Sequence, residues 1–306
     1  MRIGFSLPFR YLSGTPMSRD EQLLAEAFGP PSACLELLRL RRVTSIELGR
    51  INANTDPGEV LLAAARVLDA GLGLTLHGYL PDPTVEGCFA TLFPPLASLA
   101  GLIGKARVHA VMVLHSYRGT AGDDLAMFME RSVALLRRLA LALERENLPW
   151  RVALEITRNQ GRIDPGDTYQ DLLEIRERVG HEVVGFCWDV GHAHWNVLRD
   201  KIFPAAPPEF LKHIIHTHLH DLAPDGQTHW PLTERRIPLG TYIGALSALN
   251  YQGVYNIELY PSRWAAVRDV KESILASLDI LKALSKTAEK LGQVPSTTNE
   301  QATSTI

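Results

Sequence analysis

The sequence is poor in cysteine, and its cysteines are not spaced as a metal or disulfide motif. There are 3 cysteines among 306 residues, Cys34, Cys88 and Cys187, an odd number scattered along the chain. Disulfide-rich domains and cysteine-based zinc sites both need more cysteines at closer spacing. The sequence therefore argues against a disulfide framework and predicts a reducing compartment, which we take to be the cytoplasm.

We also expect no targeting segment and no membrane-spanning run, and the sequence has no excess of basic charge. The first residues, Met1-Arg-Ile-Gly-Phe-Ser-Leu-Pro, contain too short an apolar stretch for a signal peptide. No run is expected to approach the ~20 apolar residues that span a bilayer. The formal net charge is -3, so no overall positive field attracts nucleic acid or a membrane. We expect a small-molecule substrate and no membrane partner, while nucleic acid and homo-oligomer formation stay open.

What the sequence does contain is a regular alternation of short apolar runs and longer helical patterns. The candidate strands are 2–7, 44–48, 73–77, 107–115, 151–157, 183–189, 214–219 and 254–259. Helical patterns lie between and after them, as in Asp123 to Glu146 and Trp264 to Leu284, where apolar residues recur at about 3.6 positions. Apolar strands that alternate with helices indicate a parallel sheet covered by helices. Eight such units close naturally into a (β/α)8 barrel, an α/β fold.

The rival fold is an open, doubly wound sheet. Such sheets usually carry a glycine-rich phosphate loop after the first strand, and residues Pro8 to Gly14 lack that fingerprint. We therefore predict one barrel domain over residues 1–285, without an interdomain linker or an internal repeat. Residues 286–306 are polar and lack periodicity, which predicts a disordered tail.

Side chains that commonly bind metals end most of the predicted strands. They are His77, His115, Glu155, Asp189, His218 and Glu258, with His192 three positions after Asp189. The carboxyl ends of all strands in a parallel barrel meet at one face, where active sites form. Burying several carboxylates together is costly, and a divalent cation removes that cost. Mixed carboxylate and imidazole ligation suits several metals, and the sequence does not choose among Mn²⁺, Zn²⁺, Mg²⁺, Fe²⁺ and Co²⁺.

The order of these residues resembles the xylose isomerase-like barrel superfamily. The resemblance rests on six short motifs in register, His77-Gly-Tyr-Leu, Leu114-His-Ser, Ala153-Leu-Glu, Asp189-Val-Gly-His, His218-Leu-His-Asp and Ile257-Glu-Leu. That superfamily includes metal-dependent sugar isomerases and epimerases, sugar dehydratases, and AP endonucleases of the endonuclease IV type. The resemblance covers residues 2 to about 285 and implies the same barrel that the strand pattern predicts.

By motif position, the resemblance also implies roles for particular side chains. Glu155, Asp189, His218 and Glu258 correspond to the four ligands of one catalytic metal. Glu155 and Glu258 would in addition exchange the carbon-bound proton of the substrate. His192 corresponds to a catalytic residue that contacts the substrate beside that metal.

The resemblance to the nuclease branch concerns further metals. His77 and His115 correspond to ligands of a second metal bridged by Glu155, or else they bind substrate hydroxyls. A third nuclease metal would need an Asp-x-His motif after the seventh strand, where this chain reads Glu234-Arg-Arg. A complete three-metal cluster is therefore not expected, even with His229 nearby. The neighbouring residues His216, His220 and Asp221 are expected to support the site rather than to bind metal.

The sequence thus predicts a metal-dependent isomerase or epimerase of a small sugar, sugar phosphate or sugar acid. The reaction would pass through a metal-stabilised enediolate, and dehydration is a variant of the same chemistry. Substrate contacts are expected from Glu47, Arg236 and Trp230, and arginines after several strands favour an anionic substrate. The alternative is an AP endonuclease. His77 and His115 favour it, whereas an acidic Glu47 at the barrel mouth would repel a phosphodiester.

Overall fold

Eight parallel strands in chain order form a closed barrel. The computed structural model describes residues 1–51, 55–80, 82–106 and 110–292. The strands are β1 (Arg2–Pro8), β2 (Ser45–Ile51), β3 (Gly73–Gly78), β4 (Ala110–Leu114), β5 (Trp150–Glu155), β6 (Val184–Asp189), β7 (Ile214–Leu219) and β8 (Val254–Ile257). The α-helices are α1 (Phe9–Ser13), α2 (Arg19–Phe28), α3 (Pro31–Leu40), α4 (Pro57–Asp69), α5 (Val85–Ala106), α6 (Leu125–Arg145), α7 (Tyr169–Val179), α8 (Val190–Leu198), α9 (Pro208–Leu211), α10 (Leu239–Ala248) and α11 (Val270–Gly292). Short 3-10 turns follow three of the strands, at Pro165–Asp167, Leu232–Glu234 and Pro261–Arg263.

The strand register brings the chemically interesting residues to one rim. Strand β8 pairs with β1 and closes the barrel. Glu155 pairs with Cys187, and Asp189 pairs with His218. Since these residues stand at or near the carboxyl ends of their strands, parallel pairing alone places them side by side.

The barrel confirms the predicted fold class, and the strand bounds agree closely with the sequence pattern. Residues 107–109 of the predicted fourth strand lie outside the described residues. Helix α11 begins at Val270, later than predicted, because the Asp269 side chain accepts the backbone N–H of Glu272 at 2.7 Å and caps the helix there. The helix continues to Gly292, past the predicted start of the tail, through a run of good helix formers. Residues 293–306 are not described, so the division at 285 stays a prediction.

Helix α5 contradicts the expectation that no segment is long and apolar enough to cross a membrane. Residues Val85–Gly104 form a stretch of 20 residues with a mean hydropathy of 1.5. In this fold the helix packs against α4, α6 and β3. Cys88, Leu92 and Leu96 on its inner side are completely buried. Burial against the barrel accounts for part of the apolar composition of this helix, since 28% of the stretch is buried.

Candidate metal centre

The carboxyl ends of β5 to β8 bring together four of the predicted site residues. Glu155, Asp189, His218 and Glu258 each offer one ligand atom, and these atoms lie within 4.8 Å of one another. Their exposed fractions run from 0% for the first three to 4% for Glu258. The four residues lie far apart along the chain, so their proximity is a product of the barrel and not of local structure.

Three of these ligands carry a buried polar atom without a hydrogen-bond partner, namely Glu155 Oε1, Asp189 Oδ2 and His218 Nδ1. An unsatisfied buried polar group costs about 1–3 kcal/mol, which makes such atoms rare. His218 Nδ1 lies 3.5 Å from Glu155 Oε1, 3.9 Å from Asp189 Oδ2 and 3.3 Å from Glu258 Oε2. The unpaired atoms thus face one another, and a divalent cation among them would satisfy all of them. The residues fit a metal.

A carboxylate below this cluster determines which nitrogen of His218 faces it. Glu47 Oε2 lies 3.1 Å from His218 Nε2 and 3.0 Å from His216 Nε2. Burial alone would raise the pKa of Glu47, but His218 and His216 hold that pKa below its usual range. Because a carboxylate only accepts, each imidazole donates to it through Nε2. In the neutral imidazole, Nδ1 of His218 then keeps the lone pair that can bind a metal, an arrangement common at protein metal sites.

The predicted substrate contact of Glu47 needs correction. Its side chain is fully buried, and its second oxygen, Oε1, accepts from Ser6 Oγ at 2.7 Å and from Asn256 Nδ2 at 3.2 Å. Both oxygens are therefore bonded inside the barrel, below the rim where a substrate would bind. Glu47 instead positions His218. The argument that its charge would repel a phosphodiester at the mouth no longer holds.

Changing Glu47 to glutamine should weaken binding of the metal at His218. Glutamine has one oxygen in place of two, so it cannot accept from both imidazoles and from Ser6 and Asn256 at once. We expect zinc affinity to fall by about 10- to 100-fold, the usual effect of losing such a partner. Titration of metal-free protein with Zn²⁺ measures the affinity, with exposed Glu177→Gln on α7 as the matched control. Unchanged zinc affinity in Glu47→Gln would contradict the positioning role.

His77 and His115 lie beside the four-ligand cluster and share Glu155 with it. Their Nε2 atoms are 3.1 Å and 3.0 Å from Glu155 Oε2. Burial would lower the pKa of His77, but Glu155 raises it to about 9. The ligand atoms of His77, His115 and Glu155 also lie within 4.8 Å of one another. This geometry fits a second cation bridged by Glu155 and equally fits two imidazoles that donate to one carboxylate.

His192 lies in the first turn of α8, directly beside Asp189. Its backbone N–H donates to Asp189 Oδ1 at 2.7 Å, which caps the helix. Its Nδ1 lies 3.1 Å from Asp189 Oδ2, 3.3 Å from Glu155 Oε1 and 3.3 Å from the carbonyl oxygen of Ile156. The contact with Ile156 is a hydrogen bond to a carbonyl oxygen, which can only accept, so Nδ1 carries the proton and Nε2 keeps a lone pair. That lone pair suits a contact with a substrate hydroxyl.

Three further residues adjoin the carboxylates: His220, which was expected to support the site, and His229 and Tyr260, to which no role was assigned. His220 Nε2 lies 3.1 Å from Asp189 Oδ1, and His229 Nε2 lies 3.3 Å from Glu258 Oε2. The Tyr260 hydroxyl donates to Glu258 Oε1 at 3.0 Å. Burial lowers the pKa of His229 to about 3. The alternation of histidines along β7 was a signal for His220, whereas no sequence pattern connects His229 or Tyr260 with the site.

Trp230 and Arg236 do not line the cavity that opens beside the cluster. That cavity has a volume of about 450 Å³ and is lined by residues that include His115, Arg118 and Arg162. Trp230 is half-buried, and its Nε1 donates to Gln227 Oε1 at 2.9 Å. Arg236 is exposed on the loop after β7. The guanidinium groups in the cavity wall are therefore better placed than Arg236 to meet an anionic group of a substrate.

Comparisons with known proteins agree with this fold. Residues 95–284 match the model of a family described as xylose isomerase-like TIM barrel. No curated protein matches the chain. The solved structure of a D-tagatose 3-epimerase-like protein is 17% identical, with a TM-score of 0.66 over 95% of this chain and 100% of that chain. An L-ribulose 3-epimerase is also 17% identical, with a TM-score of 0.66 over 98% of this chain and 99% of that one.

A third similar structure contains a metal. The IolI protein, solved with a bound zinc atom, is 16% identical, with a TM-score of 0.60 over 94% of this chain and 98% of that chain. At such identities the likeness to solved structures shows the fold. The match to the family model is stronger evidence, because residues 95–284 include β4 to β8 and all four residues of the cluster.

Proposed function

The chain belongs to the xylose isomerase-like TIM barrel family, and we propose that it is a divalent-metal-dependent isomerase or epimerase of a small sugar, sugar phosphate or sugar acid. The observation that carries this proposal is the buried cluster of Glu155, Asp189, His218 and Glu258 with its unpaired ligand atoms. The epimerases of similar fold and the zinc in IolI support it. We further propose that the enzyme works in the cytoplasm.

Glu155 and Glu258 are the two groups proposed to move the proton. Burial would raise the pKa of both, but nearby histidines, with His218 among them in each case, hold the pKa of each glutamate well below its usual range. One glutamate removes the carbon-bound proton, and the other, when protonated, returns a proton to the opposite face. The direction of the reaction decides which is the acid and which is the base.

The remaining residues bind and orient the substrate. Glu155, Asp189, His218 and Glu258 would hold a divalent cation, which would supply Lewis acidity to the carbonyl group of the substrate. His192 accepts a hydrogen bond from a substrate hydroxyl through Nε2. Arg118 and Arg162, which line the adjoining cavity, hold a phosphate or carboxylate at the far end of the substrate. A second cation, if bound, is held by His77, His115 and Glu155.

The proposal is tested with the purified protein loaded with Mn²⁺, Zn²⁺, Mg²⁺, Fe²⁺ or Co²⁺ in turn. Each form is incubated in D₂O with a panel of ketoses, ketose phosphates and keto sugar acids. We expect deuterium at the carbon next to the carbonyl, together with the epimeric or isomeric product, by NMR. Release of water in place of an epimer would indicate the dehydratase variant. No exchange with any metal and any sugar of the panel would refute the proposal.

One observation favours a second function, an AP endonuclease of the endonuclease IV type. The His77, His115 and Glu155 group can hold a second cation, and two-metal sites suit phosphodiester cleavage. The test is a duplex with one abasic site, incubated with the zinc-loaded protein. Cleavage next to the abasic site with two or more zinc ions per chain would replace the isomerase with the nuclease. An intact duplex would remove the alternative.

A further inference from the structure

The loop between β7 and α10 places His229 against Glu258. We propose that His229 is a hydrogen-bond donor that positions this glutamate, with its tautomer set by Arg263, and that it is not a ligand of a further cation. His229 Nε2 lies 3.3 Å from Glu258 Oε2, and the side chain is buried. Its ring stacks on that of Tyr260 with 4.1 Å between centroids and 1° between planes. The stacking fixes the plane in which the ring nitrogens point.

Arg263 determines which ring nitrogen of His229 bears the proton. Arg263 Nη1 lies 2.9 Å from His229 Nδ1. A guanidinium has donors and no acceptor, so Nδ1 must accept. The same Nη1 also donates to the carbonyl oxygen and to Oγ1 of Thr228, each at 2.8 Å. Thr228 Oγ1 lies 2.9 Å from Nδ1, and because this oxygen accepts from the guanidinium, its hydroxyl hydrogen is directed to Nδ1. Both polar neighbours of Nδ1 are therefore donors, and Arg263 fixes the direction of the Thr228 hydroxyl. An imidazole that accepts at Nδ1 carries its hydrogen on Nε2, the atom that faces Glu258.

The same tautomer argues against a third cation at this place. Asp189, His192, His220 and His229 have ligand atoms within 4.8 Å of one another, as a metal site would. A protonated Nε2, however, has no lone pair to give, and Nδ1 of His229 is occupied by Arg263. The group of Asp189, His192, His220 and His229 therefore lacks the fourth ligand, which His229 in the loop between β7 and α10 would have to supply.

The backbone of His229 is held as tightly as its side chain. Its φ is +64°, in the left-handed region that residues other than glycine adopt at an energetic cost. Its N–H donates to His220 Nδ1 at 3.0 Å, and its carbonyl accepts from Tyr260 N–H at 3.2 Å and from Trp264 Nε1 at 3.1 Å. Backbone conformations that are unfavourable in free energy, and that several surrounding hydrogen bonds hold in place, occur most often at functional sites. We infer that the left-handed backbone conformation of His229 directs its ring toward Glu258.

Glu258 then has a donor on each carboxylate oxygen. Tyr260 donates to Oε1 at 3.0 Å, and His229 Nε2–H points to Oε2 at 3.3 Å. Oε2 also lies 3.3 Å from His218 Nδ1, in the four-ligand cluster. His229 therefore sets the orientation of the oxygen nearest that cluster. The catalytic consequence rests on the proposed function, whereas the tautomer and the number of cations do not.

The experiment compares His229→Gln, whose amide N–H can take the place of Nε2–H, with His229→Ala. Native mass spectrometry counts the Zn²⁺ ions per chain, and kinetics gives kcat and KM for the sugar that the parent converts. We expect the zinc count of the parent in both variants. We expect kcat to fall about 10- to 100-fold in His229→Ala and to recover largely in His229→Gln, with KM little changed.

Arg263 offers the same test without a change in the strained loop. Arg263→Lys keeps a cationic donor beside Nδ1 and should keep most of kcat. Arg263→Met removes the guanidinium and leaves the Thr228 hydroxyl free to accept from Nδ1, so it should lower kcat as His229→Ala does. Loss of one zinc per chain in His229→Ala or His229→Gln would overturn the inference, as would equal rates in His229→Gln and His229→Ala. If the parent converts no sugar, the proposed function fails, while the zinc counts still decide whether His229 is a ligand.

Discussion

Replacing Glu258 with glutamine should lower the rate of proton exchange at the substrate carbon by about 10²- to 10⁴-fold, the usual contribution of a positioned acid or base. Glutamine has nearly the same size and can still accept from the Tyr260 hydroxyl, which lies 3.0 Å from Oε1 in the parent. It cannot take up or release the proton at neutral pH. Deuterium uptake from D₂O, followed by NMR, measures this step even when the full turnover stalls.

The matched control for this variant is Glu177→Gln, an exposed glutamate on α7. It makes the same chemical change far from the cluster and should leave the exchange rate at the parent value. Exchange in Glu258→Gln at the rate of the parent would refute the role given to Glu258. If Glu258→Gln also lost zinc binding, the slower exchange could come from the lost ligand as well as from the lost acid or base, and this substitution would not separate the two roles of Glu258.

Removing the metal with a chelator should abolish turnover and lower the stability of the fold. Glu155, Asp189 and Glu258 then remain as neighbouring buried carboxylates without a cation to offset their repulsion. A ligand present at 1,000 times its dissociation constant stabilises a protein by about 4 kcal/mol. Thermal unfolding of chelated protein, with and without added Mn²⁺ or Zn²⁺, measures the difference, and turnover should return with the metal.

Asp189→Asn is the control for the stability measurement. Asparagine can still accept the backbone N–H of His192, 2.7 Å from Oδ1 in the parent, and so preserves the start of α8. It removes one negative ligand, so the added metal should raise its unfolding temperature far less than that of the parent. Full turnover by the chelated parent would refute the metal-dependent reaction.

The fold and the gathering of ligand-type residues at one rim could be predicted from regular features of the sequence, whereas the choice of four of these residues for one metal came from the resemblance to the xylose isomerase-like superfamily. Apolar runs of strand length alternate with helices, and a ligand residue closes each of the later runs. Parallel pairing then brings strand ends together without further information, as the partners Asp189 and His218 show. The prediction needed the order of the strands and the hydrophobic pattern, and no detail of side-chain direction.

The depth of a side chain inside the barrel could not be predicted in the same way. Glu47 pairs with Thr75, two residues before His77 on the neighbouring strand, so it lies a layer below the rim. That offset depends on the stagger between strands, which the sequence pattern does not contain. The contact between His229 and Glu258 depends on a loop in which His229 adopts a left-handed φ of +64°. No periodic pattern in the sequence predicts this loop conformation.

Glu155 belongs to both candidate cation sites, and each of its oxygens faces one of them. Oε1 lies 3.5 Å from His218 Nδ1, and Oε2 lies 3.1 Å from His77 Nε2. Two cations bound through one side chain cannot be independent. If binding of the first cation changes the affinity for the second by some factor, binding of the second changes the affinity for the first by the same factor, because binding free energies are reciprocal. If both cations bind, the metal content of the protein is therefore a property of the linked pair, and a low supply of metal would lower the occupancy of both sites together.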